Sequence, residues 1–146
     1  VRTDELAELF LRVGARMRAM EAERFAPFGV TPAQARVLGV IARGQAPPRM
    51  AELARRLGVV PRAVTPLVDA LEKANLVRRR SDPDNRRAVL LDLTDHGVAV
   101  RRELREQRLR AAEDLFAPLT DGQRATLVEL LEAVTSGGPA TERSGR

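Results

Sequence analysis

The chain has no cysteine, tryptophan or tyrosine, and only one histidine and one lysine among its 146 residues. Without cysteine it can form no disulfide, thiolate zinc site or thiol redox sensor. Aromatic residues make up 3%, so the core must come from Leu, Val and Ala, a composition that favours helices. The lone His96 has no companion ligands in the pattern of a metal site and reads as a surface or packing residue. No serine stands in a recognisable hydrolase setting with histidine and an acid. Gly44 and Gly58 do not make a phosphate loop. These absences leave no constellation for an enzyme, a metal or a cofactor. No apolar run approaches the length of a membrane span and no secretory signal opens the chain, so a soluble cytoplasmic protein without a membrane partner is expected.

What the chain has instead is arginine. The formal net charge is +5, and Lys73 is the only positive side chain besides arginine. Arginine suits phosphate and guanine because its planar fork binds either in a bidentate way. A GC-rich coding genome is an equal explanation of the composition, but not of the placement. Residues 49–87 hold ten basic side chains against five acidic ones, which equals the whole chain's net charge. The remainder nets to zero. Segregation of this kind suits phosphate binding.

The apolar spacing predicts mainly helices. Leu6, Leu9, Phe10, Val13, Met17 and Met20 place a first helix over about 3–25. Thr31 with Pro32 and Gln34 is a capping box with proline at the first helical position. Val37, Leu38 and Ile41 supply the buried stripe that follows, and 44–48 reads as a loop. A short helix over 50–57 stops at Gly58. Pro61 opens the next, with Val64, Leu67, Val68 and Leu71 on its apolar face and Asn75 at its end. Two strands, 77–80 and 88–93, flank a loop over 81–87, with Val89, Leu91 and Leu93 on one face. Thr94 caps a long helix to about Phe116, and Thr120 with Gln123 opens a last helix. Residues 137–146 read as a flexible tail.

Ala54, Gly58 and Val64 have the spacing of a helix-turn-helix: a small residue for close packing, a turn glycine, an anchor for the second helix. An ordinary helical hairpin shows the same spacing. The basic hairpin behind it, with Arg78, Arg79, Arg80, Arg86 and Arg87, favours a DNA reader. Arg101, Arg102, Arg105, Arg108 and Arg110 interleave with Glu103, Glu106, Glu113 and Asp114 and read as a solvated, ion-paired helix face in preference to a second DNA contact.

The motifs LARRLGV, VTPLVDALEKANLV and DPDNRRAVLLDLTDHG resemble the MarR family of bacterial winged-helix regulators, and the resemblance extends over 3–136. It implies one domain over 1–136, mainly α with a small β-hairpin wing. In it a winged helix-turn-helix module over about 30–96 is joined to dimerisation helices over 3–25 and 95–136. It also implies a homodimer on pseudo-palindromic double-stranded DNA, with two reading heads about one helical turn (about 34–36 Å) apart. A small-molecule effector would release it. Arg62, Ala63, Thr65 and Pro66 of the recognition helix and Arg79, Arg80, Arg86 and Arg87 of the wing are the implied DNA contacts. Phe10, Met17, Met20, Phe25 and Phe28 are candidate walls of an effector pocket, or else core or dimer-interface residues.

Two positions depart from the family's pattern. Asn85 stands where the family's wing carries aspartate, two residues before Arg87, which leaves Asp82 or Asp84 to hold that arginine. Pro66 lies inside the recognition helix, where it removes a backbone bond to the Arg62 carbonyl and is expected to bend the helix and re-aim its first turn. These departures leave open a winged protein-interaction module that reads no sequence.

Overall fold

The computed structural model describes residues 1–137; most of the tail read over 137–146 therefore lies outside the described residues. The helices are α1 (Thr3–Phe25), α2 (Pro32–Arg43), α3 (Met50–Leu57), α4 (Pro61–Lys73), α5 (Asp95–Phe116) and α6 (Asp121–Ser136). A 3-10 turn, Ala26–Phe28, follows α1, and the strands β1 (Val77–Asp82) and β2 (Asn85–Leu93) lie between α4 and α5. Two compact units result: Val1–Ala111, and a second that begins at Ala112. Within the described residues the second unit holds the last turn of α5 and α6.

Local chemistry sets the helix ends. Thr31 Oγ1 accepts the Gln34 amide at 3.2 Å while Gln34 Oε1 accepts the Thr31 amide at 3.1 Å. Thr120 and Gln123 repeat the arrangement at the start of α6. Each box satisfies two amides that the first turn leaves without partners. Gly58 ends α3 at φ 70, a left-handed conformation that a side chain would strain. The Val59 amide then reaches back to the Ala54 carbonyl at 3.1 Å, closing the tight turn into α4.

One apolar core joins the first unit. Val37, Leu38 and Ile41 of α2 meet Leu53 and Ala54 of α3 and Val64, Val68 and Leu71 of α4. Phe25, Leu91 and Leu104 complete it from α1, β2 and α5. Each fully buried Leu or Phe side chain contributes about 1.5–3 kcal/mol.

The hairpin is longer than its sequence suggests. Both strands extend into the region read as loop, and Pro83 and Asp84 alone form the turn. Register holds from Val77 opposite Leu93 to Ser81 opposite Val89 and then breaks, with Asp82 opposite Asn85. Arg86, Arg87 and Ala88 are therefore looped out of the ladder as a bulge, which re-aims side chains locally. Propensity alone reads a charged, proline-containing segment as loop. The hydrogen bonds of the neighbouring strand override it.

Candidate nucleic-acid interface

Helix α4 buries Val64, Val68 and Leu71 and leaves Arg62, Ala63, Thr65 and Pro66 exposed near its start. The alternation follows from helical period: the apolar stripe faces the core, so the residues between it face outward. The helix runs through Pro66 as one element from Pro61 to Lys73. Proline has no amide proton to offer the Arg62 carbonyl, and the exposed position of both residues keeps that loss on the solvent face.

The wing arginines divide into two groups. Arg79 donates to Asp69 at 2.6 Å and to Glu72 at 3.0 Å, both on α4. These carboxylates, the Asp69 hydrogen bond foremost, raise the Arg79 pKa above its ordinary value. Arg80 pairs across the hairpin with Asp92. The sequence assigns both to phosphates; in the structure their charge is shared with acids of this chain. Arg62, Arg78, Arg86 and Arg87 have no carboxylate partner among the described residues. Four uncompensated guanidiniums thus stand on the recognition helix and the wing.

The expectation that Asp82 or Asp84 holds Arg87 is not met. Asp82 Oδ2 accepts from the Arg49 guanidinium at 2.7 Å, and its Oδ1 accepts the Asp84 amide at 2.9 Å. The Asp84 amide and Arg49 hold the Asp82 carboxyl below the usual carboxylate range. Asn85 does act locally: its Oδ1 accepts the Arg87 backbone amide at 3.1 Å. Among the described residues the Arg87 side chain has no carboxylate partner. Sequence reasoning misses the pair of Arg49 and Asp82 because they lie 33 residues apart and neither carries a local signature.

The start of α5 is set by close approach. Thr94 Oγ1 donates to the Asn75 carbonyl at 2.6 Å and accepts the Gly97 amide at 2.9 Å. The helix thereby docks onto the end of α4, where Asn75 takes a left-handed φ of 59.

The arginines of α5 do not simply make a solvated face. Arg43 of α2 and Arg101, Arg105 and Arg108 of α5 line an open groove of 390 Å³ with Ala35, Gly39, Leu104 and Leu109. Arg108 donates to Glu21 of α1 at 3.0 Å and lies 5.9 Å over the Phe25 ring. Arg101 is only partly exposed, and burial, then Arg43, Arg105 and Arg108, push its pKa down. Of the expected pocket walls, Phe25 is fully buried in the core, Phe28 packs against it, and Phe10 is 68% exposed. Met17 and Met20 are half-buried along α1. None of the five lines this groove.

A helix-turn-helix followed by a two-stranded basic wing defines the winged helix-turn-helix class. A family model described as the MarR family matches residues 28–88. The MarR protein of E. coli, solved as a mutant complexed with operator DNA, superposes with a TM-score of 0.78 at 30% identity, covering 89% of this chain and 93% of that one. The chain belongs to the MarR family. The HTH-type transcriptional repressor MdtR of Bacillus subtilis is 42% identical over 69 residues, 47% of this chain and 44% of the repressor. The matched stretch thus spans less than half of that relative. A MarR family protein of Mycobacterium tuberculosis in complex with salicylic acid superposes with a TM-score of 0.74 at 28% identity, covering 88% of this chain and 95% of that one.

Among the described residues no helix is long and apolar enough to cross a membrane, and no cluster of His, Cys, Asp or Glu could hold a metal ion.

Proposed function

We propose that this chain is a sequence-specific DNA-binding transcriptional regulator, acting in the cytoplasm as a homodimer on a pseudo-palindromic site. The observation that carries the reading is the set of uncompensated guanidiniums, Arg62 on α4 with Arg78, Arg86 and Arg87 on the wing. A merely solvated surface has no need to keep four of its arginines clear of carboxylates while pairing their neighbours. The E. coli relative solved with operator DNA supports the same reading. α4 would enter the major groove by its first turns, and Arg87 would reach the adjacent minor groove from the wing. The role is binding, not catalysis, and repression by occluding a promoter is the mode favoured by likeness to the MdtR repressor. A gel shift against DNA flanking its own gene tests it: retarded complexes that persist against excess random DNA are expected. Equal competition by random DNA overturns it in favour of a winged interaction module.

The dimer rests on apolar surface that one chain leaves uncovered. Leu6, Leu9, Phe10, Leu11 and Val13 of α1 are 43–68% exposed, and Val128, Leu130, Leu131 and Val134 of α6 are 41–76% exposed. Stripes of this size mark an interface.

A small-molecule effector is the remaining part. The relative bound to salicylic acid supports an acidic effector, and the groove of Arg43, Arg101, Arg105 and Arg108 offers guanidiniums to a carboxylate beside the apolar side chains of Leu104 and Leu109. Phe10, Met17 and Met20 would add walls where α1 meets a second copy. Binding releases DNA only if the ligand prefers one spacing of the two heads.

A further inference from the structure

The wing of this chain is fastened at a place other than its Asn85-Arg86-Arg87 tip. The segment before α3 lies along β2: the Leu91 amide donates to the Pro48 carbonyl at 3.0 Å, and Arg49 bridges Leu90 in antiparallel fashion. From this segment the Arg49 guanidinium crosses to Asp82, the last residue of β1, at 2.7 Å. Asp82 is 8% exposed, and only Glu21 is a comparably buried charge among the described residues. Its second oxygen closes the turn on the Asp84 amide. Immediately beyond it the ladder loses register and Arg86, Arg87 and Ala88 loop out. Asp82 thus anchors the end of β1, opposite Asn85, to the start of the helix-turn-helix, and Asn85 in turn accepts the Arg87 amide.

We propose that Arg49 and Asp82 are positioning residues for DNA binding: their ion pair sets where Arg86 and Arg87 stand relative to α4. This rests on the DNA-binding reading above. Neither residue need touch a base or phosphate. Only Asp82 is buried, and about half of the Arg49 side chain stays in solvent, so the hold comes from the short bond that ties a largely covered carboxylate at the end of β1 to the segment before α3.

The sign of the effect separates positioning from simple charge. Asp82→Asn removes a negative charge close to the DNA-facing wing, so charge alone predicts tighter binding at every sequence. Positioning predicts the opposite. The intact protein carrying Asp82→Asn is titrated with operator DNA, alone and together with Arg87→Ala. Operator affinity should fall roughly five- to tenfold in the otherwise native protein and by less than about twofold when Arg87 is already alanine, the signature of coupled residues. Arg49→Gln, which leaves Asp82 on its amide bond, should couple to Arg87 in the same way and serves if the first variant does not fold.

A DNA-free measurement accompanies it. The ¹⁵N order parameter of the Arg87 amide should drop from the rigid range near about 0.85 towards about 0.6 in either variant. An unchanged order parameter, unchanged or tighter operator binding, or equal losses with and without Arg87 overturns the clamp. If the native protein selects no DNA site, the regulator reading fails instead, and the order parameter still decides whether the pair holds the wing.

Discussion

Arg79 of β1 lies 2.6 Å from Asp69 of α4, and its second nitrogen reaches Glu72 at 3.0 Å. The strand that leads into the wing is therefore tied to the recognition helix by a forked guanidinium. Arg87, on the opposite strand, has no carboxylate partner among the described residues.

The two arginines should separate in experiment. Arg79→Ala should lower the melting temperature, with about 0.2–1 kcal/mol lost per exposed pair. Arg87→Ala should leave the melting temperature unchanged and weaken DNA binding. Thermal melts run beside operator titrations check both. A melting loss for Arg87→Ala with full affinity would make that residue structural.

Arg62→Ala and Thr65→Ala should change sequence choice. Both stand exposed in the first turns of α4, where a base contact is worth about 1–3 kcal/mol of discrimination. Arg78→Ala should instead weaken binding to all sequences and flatten the salt dependence, as loss of a phosphate contact does. Each variant is titrated on the operator and on random DNA across a salt series. Equal losses on both DNAs for Arg62→Ala and Thr65→Ala would remove direct readout from this turn.

A charge placed in either terminal stripe should break the dimer. Leu9→Asp in α1 or Leu130→Asp in α6 puts a carboxylate where the replaced side chain is 43% or 59% exposed in the single chain. Light scattering should show a monomer with native helix content. Affinity for the full site should collapse towards that for a half-site, because the second head loses its high effective concentration. A variant that stays dimeric places the interface elsewhere.

The Asp82 carboxyl should titrate below its ordinary value of 3.8. A depressed folded-state value means that folding favours the ionised form. Its contribution is complete above the ordinary value and is lost as pH falls through the depressed one. The Asp82 side-chain carbon and the Asp84 amide should shift together in an NMR titration, in one step below 3.8. Between about pH 5 and 8 the Asp82 carboxyl should stay ionised. A midpoint above 3.8 would contradict the bonds described.

Gly97→Ala should be among the costlier single-methyl changes. A Cβ there would fall 2.0 Å from the Leu76 carbonyl oxygen, which is backbone and cannot swing aside. Forcing α5 off this docking point should cost about 1–3 kcal/mol or more, in line with overpacking. Denaturant unfolding measures it; a loss within error would mean that the helix start shifts freely.

What can be read along the chain is what neighbours in sequence decide. The capping boxes of Thr31 and Thr120, the stop at Gly58 and the apolar stripes of α2 and α4 each depend on spacings of a few residues. The helices and the order helix, turn, helix, wing are therefore legible in the sequence. The exposed face of α4 follows from its buried one, so Arg62 and Thr65 are legible too. Tertiary structure alone decided which arginines are free. Arg79 and Arg87 look equivalent in a basic run, yet one meets Asp69 and Glu72 while the other is looped out by a register break. Arg49 finds Asp82 across 33 residues and Arg108 finds Glu21 across 87. Pairings over such distances depend on how the elements dock, which no local spacing encodes, and the charge left over after they form is the surface available to DNA.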